Sequence, residues 1–222
     1  MGASTPKQFL TLGGLPLLVH TLRALEAAEE IVEIILAVPE ADREYCLREI
    51  VTPHRLTKVR KVVGGGAQRQ DSVQHGLQAV SDGIEFVLVH DAVRPFVTRE
   101  MIRLVIEAAA KHGAALVAIP MKDTVKQVGQ DGLVSGTVDR GRLWLAQTPQ
   151  AFRRSIFEEA HRKAALEGVQ GTDDTQLVER LGYPVAIVEG SGENIKITRP
   201  EDFAIGEAIL AARQKIAKSS SP

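Results

Sequence analysis

The feature that most constrains this chain is an alternation of short apolar runs with stretches of helical pattern. Residues 31–38 (IVEIILAV), 59–63, 86–90 and 114–119 form the apolar runs, rich in Val, Ile and Leu. Between and before them, residues 16–28, 71–80 and 98–112 carry apolar positions at helical spacing, and residues 41–50 are charged and helical in character. Strands that are apolar along their length and alternate with helices predict an α/β fold with a mostly parallel sheet covered on both faces. Sheets of that kind take ligands beyond the carboxyl ends of their strands, so the loops there become the first candidates for chemistry.

The rhythm breaks after Pro120. Residues 123–139 (DTVKQVGQDGLVSGTVD) read as a hairpin turning around Gly129 and Asp131-Gly132. An arm at about 121–141 has too few large apolar residues for its own core and needs a partner surface. Helices are then expected near 155–167, 174–181 and 200–215, with strands at 184–188 and 195–198. No repeat or linker divides the chain, so residues 1–222 read as one domain with a polar, disordered tail at about 217–222.

Composition narrows the function. A net charge of −1 over 222 residues offers no field for a nucleic acid backbone, so any phosphate must be met by a few placed cations. No apolar run approaches the roughly 20 residues needed to span a bilayer, and the first ten residues lack the pattern of a secretory signal. Cys46 is the one cysteine, which fits a reducing cytoplasm and reads as an inert thiol. The six histidines form no ligand spacing, so no zinc site is expected.

Three polar segments fall after predicted strands. Gly64-Gly65-Gly66-Ala67-Gln68-Arg69-Gln70-Asp71-Ser72 lets a ligand approach the backbone and ends at a helix N-terminus; it reads equally as a turn with an ordinary N-cap. His90-Asp91-Ala92-Val93-Arg94-Pro95 places an acid and a base directly after an apolar strand, which suits a site better than a core, although an Asp–Arg pair also shapes turns. Lys196, between two isoleucines, points away from them if the segment is extended, as a solvated strand lysine also would. No phosphate-loop lysine motif and no nucleophile elbow is present. The residues alone support a phosphate-handling α/β enzyme without a covalent nucleophile.

Taken together, Pro6-Lys7-Gln8-Phe9-Leu10, Gly65-Gly66 through Arg69 to Asp71-Ser72-Val73, and Val89-His90-Asp91-Ala92-Val93-Arg94-Pro95 resemble the 2-C-methyl-D-erythritol 4-phosphate cytidylyltransferase family. The likeness continues through Lys122-Asp123-Thr124, Thr137-Val138-Asp139-Arg140, Gln147-Thr148-Pro149-Gln150, Thr172-Asp173-Asp174 and Asn194 to Asp202. It implies a Rossmann-like nucleotidyltransferase fold, a homodimer with exchanged β-arms, and Mg²⁺ with CTP as the phosphate donor.

Roles follow by position. The resemblance makes Lys7, Arg140 and Lys196 the catalytic cations, with Lys7 on the triphosphate and Arg140 reaching into the partner subunit. Gly66, Ala67, Ser72, Lys7 and Ala92 fall where the family holds CTP. Asp91, Arg94, Thr124, Arg140, Thr148, Thr172 and Lys196 match the pocket for the sugar-alcohol phosphate. The metal ligands are left open, with Asp91 one candidate. The family also has an N-terminal strand ending in a glycine-rich loop before the segment matching residues 1–7. An upstream extension of about 20 residues is therefore expected. Two other readings remain at this point, a ribitol-5-phosphate cytidylyltransferase and a non-catalytic dimer that kept only the acceptor pocket.

Overall fold

A computed structural model describes residues 6–219, apart from the side chains of 217–219. A small hairpin, β1 (Thr11–Leu12) and β2 (Leu15–Pro16), leads into α1 (Leu17–Glu26), then β3 (Ile34–Val38), α2 (Arg43–Tyr45) and β4 (Val59–Gly64). Next come α3 (Arg69–Gln78), β5 (Phe86–Val89), α4 (Arg99–His112) and β6 (Ala114–Pro120). The arm strands are β7 (Val125–Val128) and β8 (Val134–Val138). They are followed by β9 (Trp144–Arg153), α5 (Arg154–Glu167), α6 (Asp174–Glu179), β10 (Val185–Glu189) and α7 (Pro200–Ser219).

The main sheet is mixed, where a mostly parallel one was expected. Strands run in the order β10-β6-β9-β5, with β10 and β6 parallel and β9 antiparallel to both β6 and β5. The difference is β9, which the sequence pattern does not reveal. Its Gln147-Thr148-Pro149-Gln150 centre is polar and contains a cis Thr148–Pro149 bond, yet Gln147, Thr148 and Gln150 are buried. Partners make that burial possible, since an unpaired buried polar group is costly. Gln147 Nε2 donates to the Ser191 carbonyl at 2.9 Å, Asn194 Nδ2 to the Thr148 carbonyl at 2.9 Å, and Gln150 Nε2 to Asp173 at 3.0 Å.

Strands β3 and β4 form a separate parallel pair. Between β3 and β5 lies a groove of about 550 Å³, walled by strand edges and by helices α1 and α3. The core accordingly has two main bodies. On one face, Leu18, Leu22, Ile102 and Val105 of α1 and α4 pack with Leu36 and Val38 of β3. On the other, Phe152 and Phe157 stack at 4.2 Å with Leu77, Leu177 and Val178 around them. Each such side chain contributes roughly 1.5–3 kcal/mol on burial.

Helix ends are fixed by local chemistry. Thr98 Oγ1 accepts from Met101 N at 3.2 Å to start α4, Asp173 accepts from Gln176 N at 3.0 Å to start α6, and Gly113 closes α4 at φ 93°. Residues 40–51 form short 3₁₀, α and π turns where one helix was expected. The segment at 195–198 is a loop and not a strand; Thr198 and Arg199 amides turn instead to Asp202 Oδ2 at 2.7 and 2.8 Å. Helix α7 runs through Ser219, so residues 217–219 of the expected tail are helical, and residues 220–222 lie outside the described ones. Cys46 is fully buried, with its thiol pushed up to about 11 by burial and then by Asp42, which makes it inert.

The arm forms an antiparallel hairpin from Val125↔Val138 to Val128↔Val134. Its apolar residues Val128, Leu133 and Val134 are all more than half exposed. No helix among the described residues is long and apolar enough to cross a membrane.

Candidate active site

The loop after β5 holds the centre of the site. Asp91 Oδ2 lies 3.2 Å from Arg94 Nε and 3.1 Å from Lys196 Nζ, while its Oδ1 lies 3.6 Å from Arg69 Nε. Three cations thus converge on one carboxylate that is 11% exposed. Burial alone would push the Asp91 carboxyl up. The Lys196 ammonium, then the Arg69 and Arg94 guanidiniums, outweigh it and hold the group below the ordinary carboxylate range. The loop is fixed from below by backbone bonds, with Ile197 N donating to the Val93 carbonyl and Thr21 Oγ1 to the Ala92 carbonyl.

His90 is locked as a neutral ring. Its Nε2 lies 3.0 Å from the Arg94 carbonyl, which can only accept, so Nε2 carries the proton. Nδ1 then accepts from Thr148 Oγ1 at 3.0 Å, and that oxygen accepts from Asp91 N at 3.0 Å. Burial pulls the imidazole down to about 4. With both nitrogens engaged, His90 holds the loop in place and is not available as a base.

Arg69 joins this centre to the glycine loop after β4. Its Nη2 lies 2.6 Å from Asp174 Oδ2, a side chain that is 2% exposed. Burial pushes the Asp174 carboxyl up, and the Arg69 guanidinium pulls against it. In the loop itself, Ser72 Oγ accepts from Gly66 N at 3.0 Å and donates to the Gln68 carbonyl at 3.2 Å. Gly66 has no room for a side chain, since a Cβ there would sit 2.2 Å from Asp71 Cβ. Ala67 is exposed beside it.

Of the residues singled out from sequence, the fold brings Asp91, Ala92, Arg94, Thr148 and Lys196 together, with Gly66, Ala67 and Ser72 linked through Arg69. Others stand apart in the single chain. Lys7 is exposed at the start of a 3₁₀ turn. Thr124 is exposed at the base of the arm, and the Arg140 guanidinium donates to the Lys122 carbonyl there. Thr172 is exposed, with its amide donating to Gln176 Oε1 at 2.7 Å.

Comparison with known proteins decides the family. The family model described as "2-C-methyl-D-erythritol 4-phosphate cytidylyltransferase" matches residues 1–212. The chain belongs to this family. A family relative from Syntrophus aciditrophicus (strain SB), named 2-C-methyl-D-erythritol 4-phosphate cytidylyltransferase, is 51% identical over 210 residues, covering 95% of this chain and 90% of the relative. One of the same name from Bacillus mycoides is 48% identical, covering 97% and 94%. Among solved structures, the 4-diphosphocytidyl-2C-methyl-D-erythritol synthase of Anaerococcus prevotii superposes with a TM-score of 0.85 at 33% identity, covering 95% of this chain and 92% of that one. The Thermus thermophilus 2-C-methyl-D-erythritol 4-phosphate cytidylyltransferase superposes at 0.79 with 40% identity, covering 94% and 96%.

Within this family member, Arg69, His90, Asp174 and Asn194 are tied to the Asp91–Arg94–Thr148 cluster although none was named as a site residue from sequence. All four lie inside the motifs quoted above, and that was the available signal. Asn194 is fully buried, and its carbonyl accepts from Arg94 Nη1 at 2.8 Å. The donors present do not fit a resident Mg²⁺. Asp91 is already matched by three cations, and no group of three His, Cys, Asp or Glu among the described residues could hold a metal.

Proposed function

We infer that the chain catalyses the reaction its family is named for, transfer of a cytidylyl group from CTP to 2-C-methyl-D-erythritol 4-phosphate in isoprenoid synthesis. The observation that carries this reading is the convergence of Lys196, Arg94 and Arg69 on Asp91 beside a histidine that is not free to act as a base. A phosphate monoester is already largely ionised at pH 7, so it needs no base. It needs relief from the repulsion between two anions, and cations supply that. An oxygen of the monoester attacks the α-phosphorus of CTP in line, the new O–P bond forms, and the bond to pyrophosphate breaks.

In this reading Lys7 stabilises charge on the triphosphate, and Gly66, Ala67, Ser72 and Ala92 hold the nucleoside. Asp91 accepts hydroxyls of the sugar alcohol. Arg94, Thr124, Thr148, Thr172 and Lys196 complete its pocket. The uncovered apolar residues of the arm, and the Arg140 guanidinium held at its base on the Lys122 carbonyl, support a homodimer, with Arg140 serving the partner's site. The metal enters as part of the substrate, a Mg²⁺–CTP complex, because Mg²⁺ is commonly carried by substrate phosphates. A cytoplasmic setting fits the buried thiol of Cys46. The test is a coupled assay of pyrophosphate release from CTP. Release that requires methylerythritol phosphate is expected. Release without any acceptor, or none with it, contradicts the reading.

A further inference from the structure

The loop between α5 and α6 carries Thr172, and little of its own chemistry holds it. Helix α5 ends on Gly168 in the left-handed region at φ 64°, and Val169 N turns back to the Ala164 carbonyl at 2.9 Å. Beyond that point Gln170 and Thr172 are exposed. Two glutamines fix the path. Gln176 takes the far end, its Oε1 accepting from Thr172 N at 2.7 Å. Gln70 takes the near end from across the site. Its Nε2 donates to the Val169 carbonyl at 3.1 Å, and its Oε1 accepts from Gly171 N at 3.0 Å.

Among the described residues these two backbone groups have no other partner. One accepts, the other donates, and they lie two residues apart, which is what the peptide of a neighbouring strand would meet. A primary amide reproduces that pairing because it carries a donor and an acceptor together. A carboxylate lacks the donor, and a thioether lacks a strong version of either. The loop is also held close to α6, since a Cβ on Gly171 would stand 2.7 Å from the Asp173 carbonyl and 3.0 Å from Leu177 Cδ2.

The other side of this clamp is the glycine loop. Gln70 belongs to a turn that is hydrogen-bonded throughout. Gly66 N donates to Ser72 Oγ at 3.0 Å, Gln68 N to Asp71 Oδ2 at 3.0 Å, and Ser72 N to the Gln68 carbonyl at 3.2 Å. Arg69, next to Gln70, holds Asp174 at 2.6 Å. Successive residues at the start of α3 therefore grip both ends of the segment 169–174, and Thr172 stands between the two grips.

We propose that Gln70 is a positioning residue for the acceptor substrate, acting through Thr172. The inference rests on the reading above, in which Thr172 lines the acceptor pocket and Gly66 and Ser72 hold the nucleoside. Both polar atoms of Gln70 already face the loop, so its part is to hold Thr172 at a fixed place relative to the glycine loop. Without the clamp the acceptor must order the loop as it binds, which weakens binding. The transfer step that follows is unaffected.

The test compares the unsubstituted chain with Gln70→Met and Gln70→Glu. The first keeps the length and loses both bonds. The second keeps an acceptor for Gly171 N and sets a carboxylate oxygen against the Val169 carbonyl. In the assay of pyrophosphate release each should raise KM for methylerythritol phosphate about tenfold, with kcat and KM for CTP changed less than about twofold. Amide hydrogen exchange at 169–172 should quicken, with α3 and α6 unchanged. Thr172→Ala supplies the control. If Gln70 acts through Thr172, the double variant Gln70→Met, Thr172→Ala should raise KM no further than Thr172→Ala alone. Acceptor KM unchanged in both Gln70 variants, or loop exchange no faster, overturns the inference and leaves the cytidylyl-transfer reading standing. So do effects that add in full in the double variant, which would make Gln70 part of the packing alone. No transfer by the unsubstituted chain overturns the transfer reading and this inference with it.

Discussion

Arg69 Nη2 lies 2.6 Å from Asp174 Oδ2, which ties the helix after the glycine loop to the start of α6 across the site. The Asp174 side chain is 2% exposed, so its charge depends on that guanidinium. Removing one partner of a buried pair leaves an uncompensated charge, at a cost of about 3–5 kcal/mol. Arg69→Ala should therefore lose stability of that order in urea titration, less what its own exposure spares. The double variant Arg69→Met, Asp174→Leu should recover most of the stability and none of the activity. Recovery of activity in the double variant would show that Arg69 serves packing alone.

The acid limb of the stability profile should belong to two histidines. Burial lowers both His90 and His161 to about 4, against about 6.5 in the unfolded chain. A base whose folded value is depressed binds its proton in the unfolded state first. Stability is then full above pH 6.5 and falls as the pH drops toward 4, by on the order of 3 kcal/mol per histidine. Asp91, held low, adds loss only as the pH falls through still lower values. Among the described residues His161 has no hydrogen-bond partner for either ring nitrogen, and it packs edge-on against Phe157 at 4.5 Å. His161→Phe should raise the melting temperature and flatten the slope between pH 6.5 and 4. An unchanged slope would mean that other groups titrate there.

Arg140 gives a test of subunit sharing. Lys7→Ala and Arg140→Ala proteins should each be nearly inactive. If Arg140 serves the partner's site, random exchange of subunits rebuilds one intact site in each mixed dimer, and about a quarter of wild-type activity returns. No return after exchange verified by mass spectrometry would place Arg140 in its own subunit's site.

Much of this was readable from the residues, for reasons that separate cleanly. The run at 59–63 became β4 and the hairpin turned at Gly132, with φ 79°, because local apolar content and turn chemistry decide such elements. Strand β9 was missed because its polar centre is stabilised by Ser191, Asn194 and Asp173, which are distant in sequence. Asp91 and Arg94 could be read as a pair because they stand three residues apart directly after a strand. Their link to Arg69 and Asp174 could not, since nothing local marks an ion pair between a helix start after β4 and one after β9. Lys196 meets Asp91 at 3.1 Å, but from a loop and not from the strand expected.

The central claim is the choice of acceptor, and one competition measures it directly. The protein is given limiting CTP with equal concentrations of methylerythritol 4-phosphate and ribitol 5-phosphate, and the two cytidine diphosphate products are separated by mass. Predominant formation of 4-diphosphocytidyl-2-C-methyl-D-erythritol is the predicted result. An equal or larger yield of the ribitol product would contradict it.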